Sequence, residues 1–132
     1  MIYYTDLLNK PYKPHGRGAG GFDCYGLVLE CLKRAGTPIA DPFLKFVHLP
    51  EGAEIEALND FKNIRELPAP KVGAVAECLV NGNLHVAYIV APNLAIHCNR
   101  QGVKITNLAF LNPIRYFEVL KNDCKLNSQP IE

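Results

Sequence analysis

The sequence predicts an α+β fold, and three observations carry that prediction. Residues before Pro68 hold helical signals, whereas after Pro68-Ala69-Pro70 the chain breaks into short segments rich in β-branched and aromatic residues. The length of 132 residues, with 48% hydrophobic and 20% charged, suits one globular domain. A chain of this size buries about two thirds of the surface it exposes when unfolded, so its fold requires no disulfide or metal staple.

The elements follow in order. Residues 2–8 form a weakly helical or irregular opening. Pro11-Tyr12-Lys13-Pro14-His15-Gly16-Arg17-Gly18-Ala19-Gly20-Gly21 is a loop, because so much Gly and Pro sustains neither helix nor strand. A helix then starts with Asp23 as its N-cap. Cys24, Leu27, Val28, Cys31, Leu32 and Ala35 make one apolar stripe, Glu30, Lys33 and Arg34 lie on the wet side, and Gly36 followed by Pro38 ends the helix. A second helix is expected over 54–64, where Ile55, Leu58 and Phe61 share a face; Glu51, Glu54 and Glu56 crowd its first turn, read as charge complementing the helix dipole in preference to a catalytic carboxylate pair. Strands are expected at 73–80, 84–90, 94–98, 103–106 and 114–120, with a hairpin turn at Asn81-Gly82 and a looser one at Pro92-Asn93. Helices first and an antiparallel meander of about five strands second give the α+β class. Residues 121–132 read as a polar tail, and 1–132 as one domain with no internal repeat.

Composition excludes several classes of function. Fourteen basic and thirteen acidic residues leave a net charge of +1, which argues against phosphate-driven nucleic-acid binding, since that needs a basic face. Five cysteines, an odd number at irregular spacings, argue against a disulfide framework and for reduced thiols. The stretch from Cys78 to Asn99 has no Asp, Glu, Lys or Arg, yet Asn81-Gly82-Asn83 and Pro92-Asn93 punctuate it, so it reads as buried sheet and not as a membrane span. No signal peptide is expected, because Asp6 and Asn9-Lys10-Pro11 interrupt any apolar run at the start.

The chemistry centres on Cys24. Placed just after the N-cap, it lies in the first helical turn, where unpaired N–H groups and the helix dipole favour an anion and lower a thiol's pKa. Its own N–H points to where an oxyanion could form. The alternative reading is a small buried hydrophobe on the apolar stripe, the commonest fate of a free cysteine. A nucleophilic thiol needs a base, and His85 and His97 occupy neighbouring expected strands an even number of residues apart. A tight turn centred on Ala91 sets the two rings opposite each other on one face, whereas a two-residue turn sets them on opposite faces. The first register gives a nucleophile, a base and an orienting group; the other leaves two unrelated half-buried histidines. His15 and His48 read as loop or partly buried histidines. Zinc is the rival use of Cys24, Cys78, His85, His97 and Cys98, but no recognised metal-ligand spacing is present and no metal or other cofactor is expected. The only serine is Ser128, in the tail, and the glycine-rich loop lacks the preceding strand that phosphate-binding loops require.

Phe22-Asp23-Cys24-Tyr25-Gly26-Leu27-Val28, preceded by Pro11-Tyr12 and the glycine-rich loop, resembles the nucleophile motif of the NlpC-type cysteine peptidases. These are compact papain-like domains that hydrolyse amide bonds in bacterial peptidoglycan stem peptides. His85-Val86-Ala87-Tyr88-Ile89 resembles the strand bearing that family's catalytic histidine, and Ile96-His97 falls where its third polar residue stands. The resemblance touches residues 11–106 and implies a helical half carrying the cysteine packed on an antiparallel sheet carrying both histidines. It implies Cys24 as nucleophile, His85 as general base and then acid, and His97 as orienter. Tyr12 matches an aromatic position lining the substrate cleft, and Asp23 matches the acid beside the nucleophile, compatible with both substrate binding and capping.

Three positions depart from the family pattern. Tyr25 stands where the cell-wall enzymes usually have Ser, a substrate-binding position; Ala74 replaces a common Asp, and Ala87 a frequent Gly. An aromatic after the cysteine with a Gly-Arg-Gly loop upstream looks more like the phage-tail and prophage branch, in which tail proteins are expected partners. The expected function is a cysteine endopeptidase acting on a γ-D-glutamyl-diamino acid bond of a stem peptide. The alternatives are a phage tail assembly or structural component that keeps the fold, and an amidase or acyltransferase on a non-wall substrate. Without an export signal or wall-binding module, targeting is expected to come from a partner or from context.

Overall fold

The computed structural model describes residues 1–39 and 63–120. A 3₁₀ turn at Thr5–Leu7 opens the chain, and helix α1 spans Cys24–Arg34. Six strands follow: β1 Ile64–Leu67, β2 Val75–Val80, β3 Asn83–Ala91, β4 Leu94–Asn99, β5 Gly102–Asn107 and β6 Pro113–Val119. A second 3₁₀ turn, Leu108–Leu111, links β5 to β6. The strands form one sheet in the order β1-β6-β2-β3-β4-β5, antiparallel at every step. The class is α+β, as the sequence predicts.

Helix α1 ends as its sequence dictates. The Asp23 carboxylate accepts from the Gly26 N–H at 2.6 Å and so caps the first turn. At the other end Gly36 turns left-handed with φ 83°, letting its N–H reach the Lys33 carbonyl and that of Thr37 reach Leu32, the Schellman arrangement. Leu27, Val28, Cys31 and Leu32 are buried against Val86, Tyr88, Ile96 and Cys98, so α1 packs on β3 and β4. Arg34 pairs with Glu30 one turn back and with Asp6, which fastens the N-terminal segment to the helix.

The two sheet faces differ in side-chain size. Val75, Val86, Tyr88 and Ile96 join the helix side, whereas Ala76, Cys78, Ala87, Ile89 and Ala95 pack beneath Leu108 and Leu111 on the other. Glu77 is buried, with the Arg115 guanidinium 3.4 Å away. Asn81 and Gly82 both have positive φ, the two-residue hairpin geometry expected of that dipeptide. No helix among the described residues is long and apolar enough to cross a membrane.

Three sequence expectations need correction or lie elsewhere. Among the described residues the sheet has six strands, not about five: Ile64–Leu67 is an edge strand paired with β6, and with only Ile64 and Leu67 flanking Arg65 and Glu66 it carries too few apolar residues to announce itself. Ile64 therefore opens a strand where a helix was expected to end, and the rest of the 54–62 segment lies outside the described residues. His48, Cys124 and the 121–132 tail lie outside them too.

Candidate active site

Cys24 is the first residue of α1, immediately after the Asp23 cap. The turn that presents it is held by backbone packing. A Cβ at Gly26 would sit 2.0 Å from the Gly16 carbonyl oxygen, so only glycine lets the glycine-rich loop rest on the first helical turn. The loop also forms bridges from Tyr12 and Arg17 to Phe22, and the Phe22 N–H donates to the Pro11 carbonyl at 3.0 Å. Phe22 in turn accepts from the Cys98 thiol at 3.2 Å, which ties strand β4 to the residue two before Cys24.

Among the described residues Asp23 has two partners. Besides capping α1, its carboxylate accepts from the Arg17 guanidinium at 3.0 Å. Arg17 also lies over the Tyr25 ring, 5.4 Å from its centroid, and Tyr25 is 1% exposed. The aromatic ring after the cysteine thus packs beneath the loop and does not face an open surface. Tyr12 is half-buried beside this region, with the Arg100 guanidinium 5.5 Å from its ring centroid.

The histidines meet by a route different from the expected one. The β3–β4 connection is a two-residue turn, with Ala91 across from Leu94, and not a tight turn centred on Ala91. Alone, that turn sets His85 and His97 on opposite faces. The register shifts between Ile89 and Ala91, so that Ile89 pairs with Ala95 and Tyr88 with Ile96. One extra residue on β3 reverses the parity. Continued, this register sets His97 across from Ala87, with His85 its diagonal neighbour on the same face. His85 Nε2 lies 2.9 Å from His97 Nδ1, and the rings meet edge to face with centroids 5.0 Å apart. His97 Nε2 lies 2.8 Å from the Thr106 hydroxyl on β5.

Burial sets the protonation of this series. It pushes the His85 pKa down to about 4, and His97, 3% exposed, is also pushed to about 4 by burial, with the charges of His85 and Lys104 adding to the effect. Both rings are therefore neutral at neutral pH, and each presents one donor and one acceptor nitrogen. The other described thiols are driven the opposite way: burial raises Cys31 and Cys78 to about 12, and Cys98 to about 11 with help from the Asp23 charge. Among the described residues no three His, Cys, Asp or Glu side chains gather as a metal site would require.

Sequence reasoning missed Thr106, Arg17, Arg100 and the bracing role of Cys98. For Thr106 the signal was one of parity: it shares a face with Lys104, which pairs with His97, but that requires the β4–β5 register.

A cysteine-bearing helix N-terminus against an antiparallel sheet that carries a coupled imidazole pair defines the papain-like α+β class. No protein-family model matches the chain, and no curated protein matches it. Among solved structures the chain is similar to the crystal structure of the NlpC/p60 domain of the peptidoglycan hydrolase SagA, with a TM-score of 0.57 and 19% identity over 84% of this chain and 88% of that one. The fold is that of the NlpC/p60 domains; the likeness does not single out the phage-tail branch.

Proposed function

We propose that the protein is a cysteine peptidase that hydrolyses an amide bond in a peptidoglycan stem peptide. The observation that carries this reading is the 2.9 Å contact between His85 Nε2 and His97 Nδ1. It leaves His85 Nδ1 free of the ring pair; the rings lie on the Ala87 and Ala95 side of the sheet and α1 packs on the Val86 and Tyr88 side, so the reading requires Cys24, the first residue of α1, to reach that nitrogen around the start of β3. In the proposed reaction Cys24 Sγ attacks the scissile carbonyl carbon while His85 Nδ1 takes the thiol proton. The Cys24 N–H faces the developing oxyanion. The C–N bond breaks as His85 returns its proton to the leaving amine, and water, deprotonated by the same ring, then releases the acyl group and restores the thiol.

Tyr12 and Asp23 are the proposed substrate contacts, Tyr12 through its half-buried ring. Tyr25 is assigned an indirect part, supporting Arg17 from beneath. The fold similarity to a peptidoglycan hydrolase domain supports the choice of substrate class. The γ-D-glutamyl-diamino acid bond is the proposed target. Mass spectrometry of defined muropeptides after incubation with the protein tests it: products ending in γ-D-glutamate support the assignment. Cleavage at another amide overturns it.

A further inference from the structure

Thr106 is the one polar side chain in contact with the far nitrogen of His97 among the described residues, and the direction of that hydrogen bond decides which nitrogens of both rings carry protons. If the hydroxyl oxygen accepts, His97 carries its proton on Nε2 and offers the Nδ1 lone pair to His85. His85 is then held as the Nε2–H form, with Nδ1 unprotonated and able to take a thiol proton. If the hydroxyl donates, every proton in the series moves to the other nitrogen: His97 holds Nδ1–H, His85 accepts at Nε2, and His85 Nδ1 is already protonated. Only the first arrangement produces a base.

One feature favours it. Thr106 is half-exposed, so its own hydroxyl proton can be given to water while the oxygen accepts from the ring. We infer that Thr106 is a positioning residue whose hydroxyl accepts from His97 Nε2–H and thereby sets His85 as the Nε2–H form with a free Nδ1. This deepens the proposed peptidase reading and rests on it for its catalytic meaning.

The test uses ¹⁵N-histidine-labelled full-length protein at pH 7, with the tautomers of His85 and His97 read from two-bond ¹H–¹⁵N couplings. The wild type is expected to show the Nε2–H form at both rings. Thr106→Val, which keeps the shape and removes the acceptor, is expected to give a tautomer mixture at His97 and to slow alkylation of Cys24 about tenfold or more, while Thr106→Ser restores both. A wild-type His97 carrying Nδ1–H overturns the inference even if the valine variant does not fold. So do unchanged tautomers in a folded Thr106→Val protein. Failure of the peptidase reading has a separate signature: wild-type rings in the stated tautomers beside a Cys24 that alkylates no faster than a free thiol.

Discussion

His85 and His97 touch edge to face, Nε2 to Nδ1 at 2.9 Å, although the strands that carry them are joined by a two-residue turn. The contact exists because the register slips by one between Ile89 and Ala91. The irregularity sits several residues from the rings it aligns, close to the turn, where a bulge disturbs little of the ladder. Ala87 and Ala95, both fully buried, share the face with the rings.

Removing the His97 ring, the proposed orienter, should separate activity from folding. His97→Ala leaves His85 Nε2 and the Thr106 hydroxyl without their partner, at a stability cost of about 1–3 kcal/mol. Hydrolysis of muropeptides should fall about a hundredfold or more, read as kcat/KM beside a denaturation curve. Full activity in a folded His97→Ala protein removes His97 from the mechanism.

Acid should weaken the fold through the same pair. Both imidazoles titrate near 4 in the folded protein against an ordinary 6.5, so the unfolded chain takes up protons first as pH falls. Their contribution is complete above about pH 6.5 and is lost progressively toward about pH 4. Melting temperatures at pH 7 and pH 4.5 should therefore drop further for the wild type than for a His85→Asn/His97→Asn protein. Parallel drops would show that the rings are not buried neutral.

The thiols should be chemically unequal. Cys31, Cys78 and Cys98 are buried and pushed to about 12, 12 and 11, so at pH 7 they are almost wholly protonated. Iodoacetamide followed by peptide mapping should find Cys24 modified before any of these three. Comparable labelling of Cys24 and Cys31 contradicts an activated nucleophile.

Gly26 should tolerate no side chain. A methyl group there meets the Gly16 carbonyl oxygen at 2.0 Å and the Asp23 carboxylate at 3.1 Å, so the loop or the helix start must move. Gly26→Ala is expected to lower the denaturation midpoint by an amount equivalent to about 1–3 kcal/mol. It should also slow Cys24 alkylation, since the displaced turn is the one presenting the thiol. An unchanged midpoint would mean that the loop does not rest on the helix.

Much of this architecture was legible before the structure. Asp23 as cap, the stripe from Cys24 through Leu32, the Asn81-Gly82 hairpin and five of the strands follow from local chemistry: capping oxygens, helical spacing and positive-φ turn residues. What was not legible depended on pairing across the sheet. Strand β1 has no strong pattern of its own and is defined by its partner β6. The register slip in β3 carries no distinctive residue, since Val90 looks like any other strand valine, so the turn predicted at Ala91 reached the right face for the wrong geometric reason. Thr106 entered the site only through the alignment of β4 with β5. Tyr25, a plausible cleft residue by position, is turned inward by its place on the first helical turn under Arg17.

The central claim is that Cys24 performs the chemistry, and one comparison tests it most directly: release of new amino groups from purified muropeptides by the wild-type protein and by Cys24→Ala. The account predicts steady release by the wild type and none above background by the variant, with both proteins showing the same far-ultraviolet circular dichroism and the same cooperative unfolding. Undiminished release by a folded Cys24→Ala protein contradicts it.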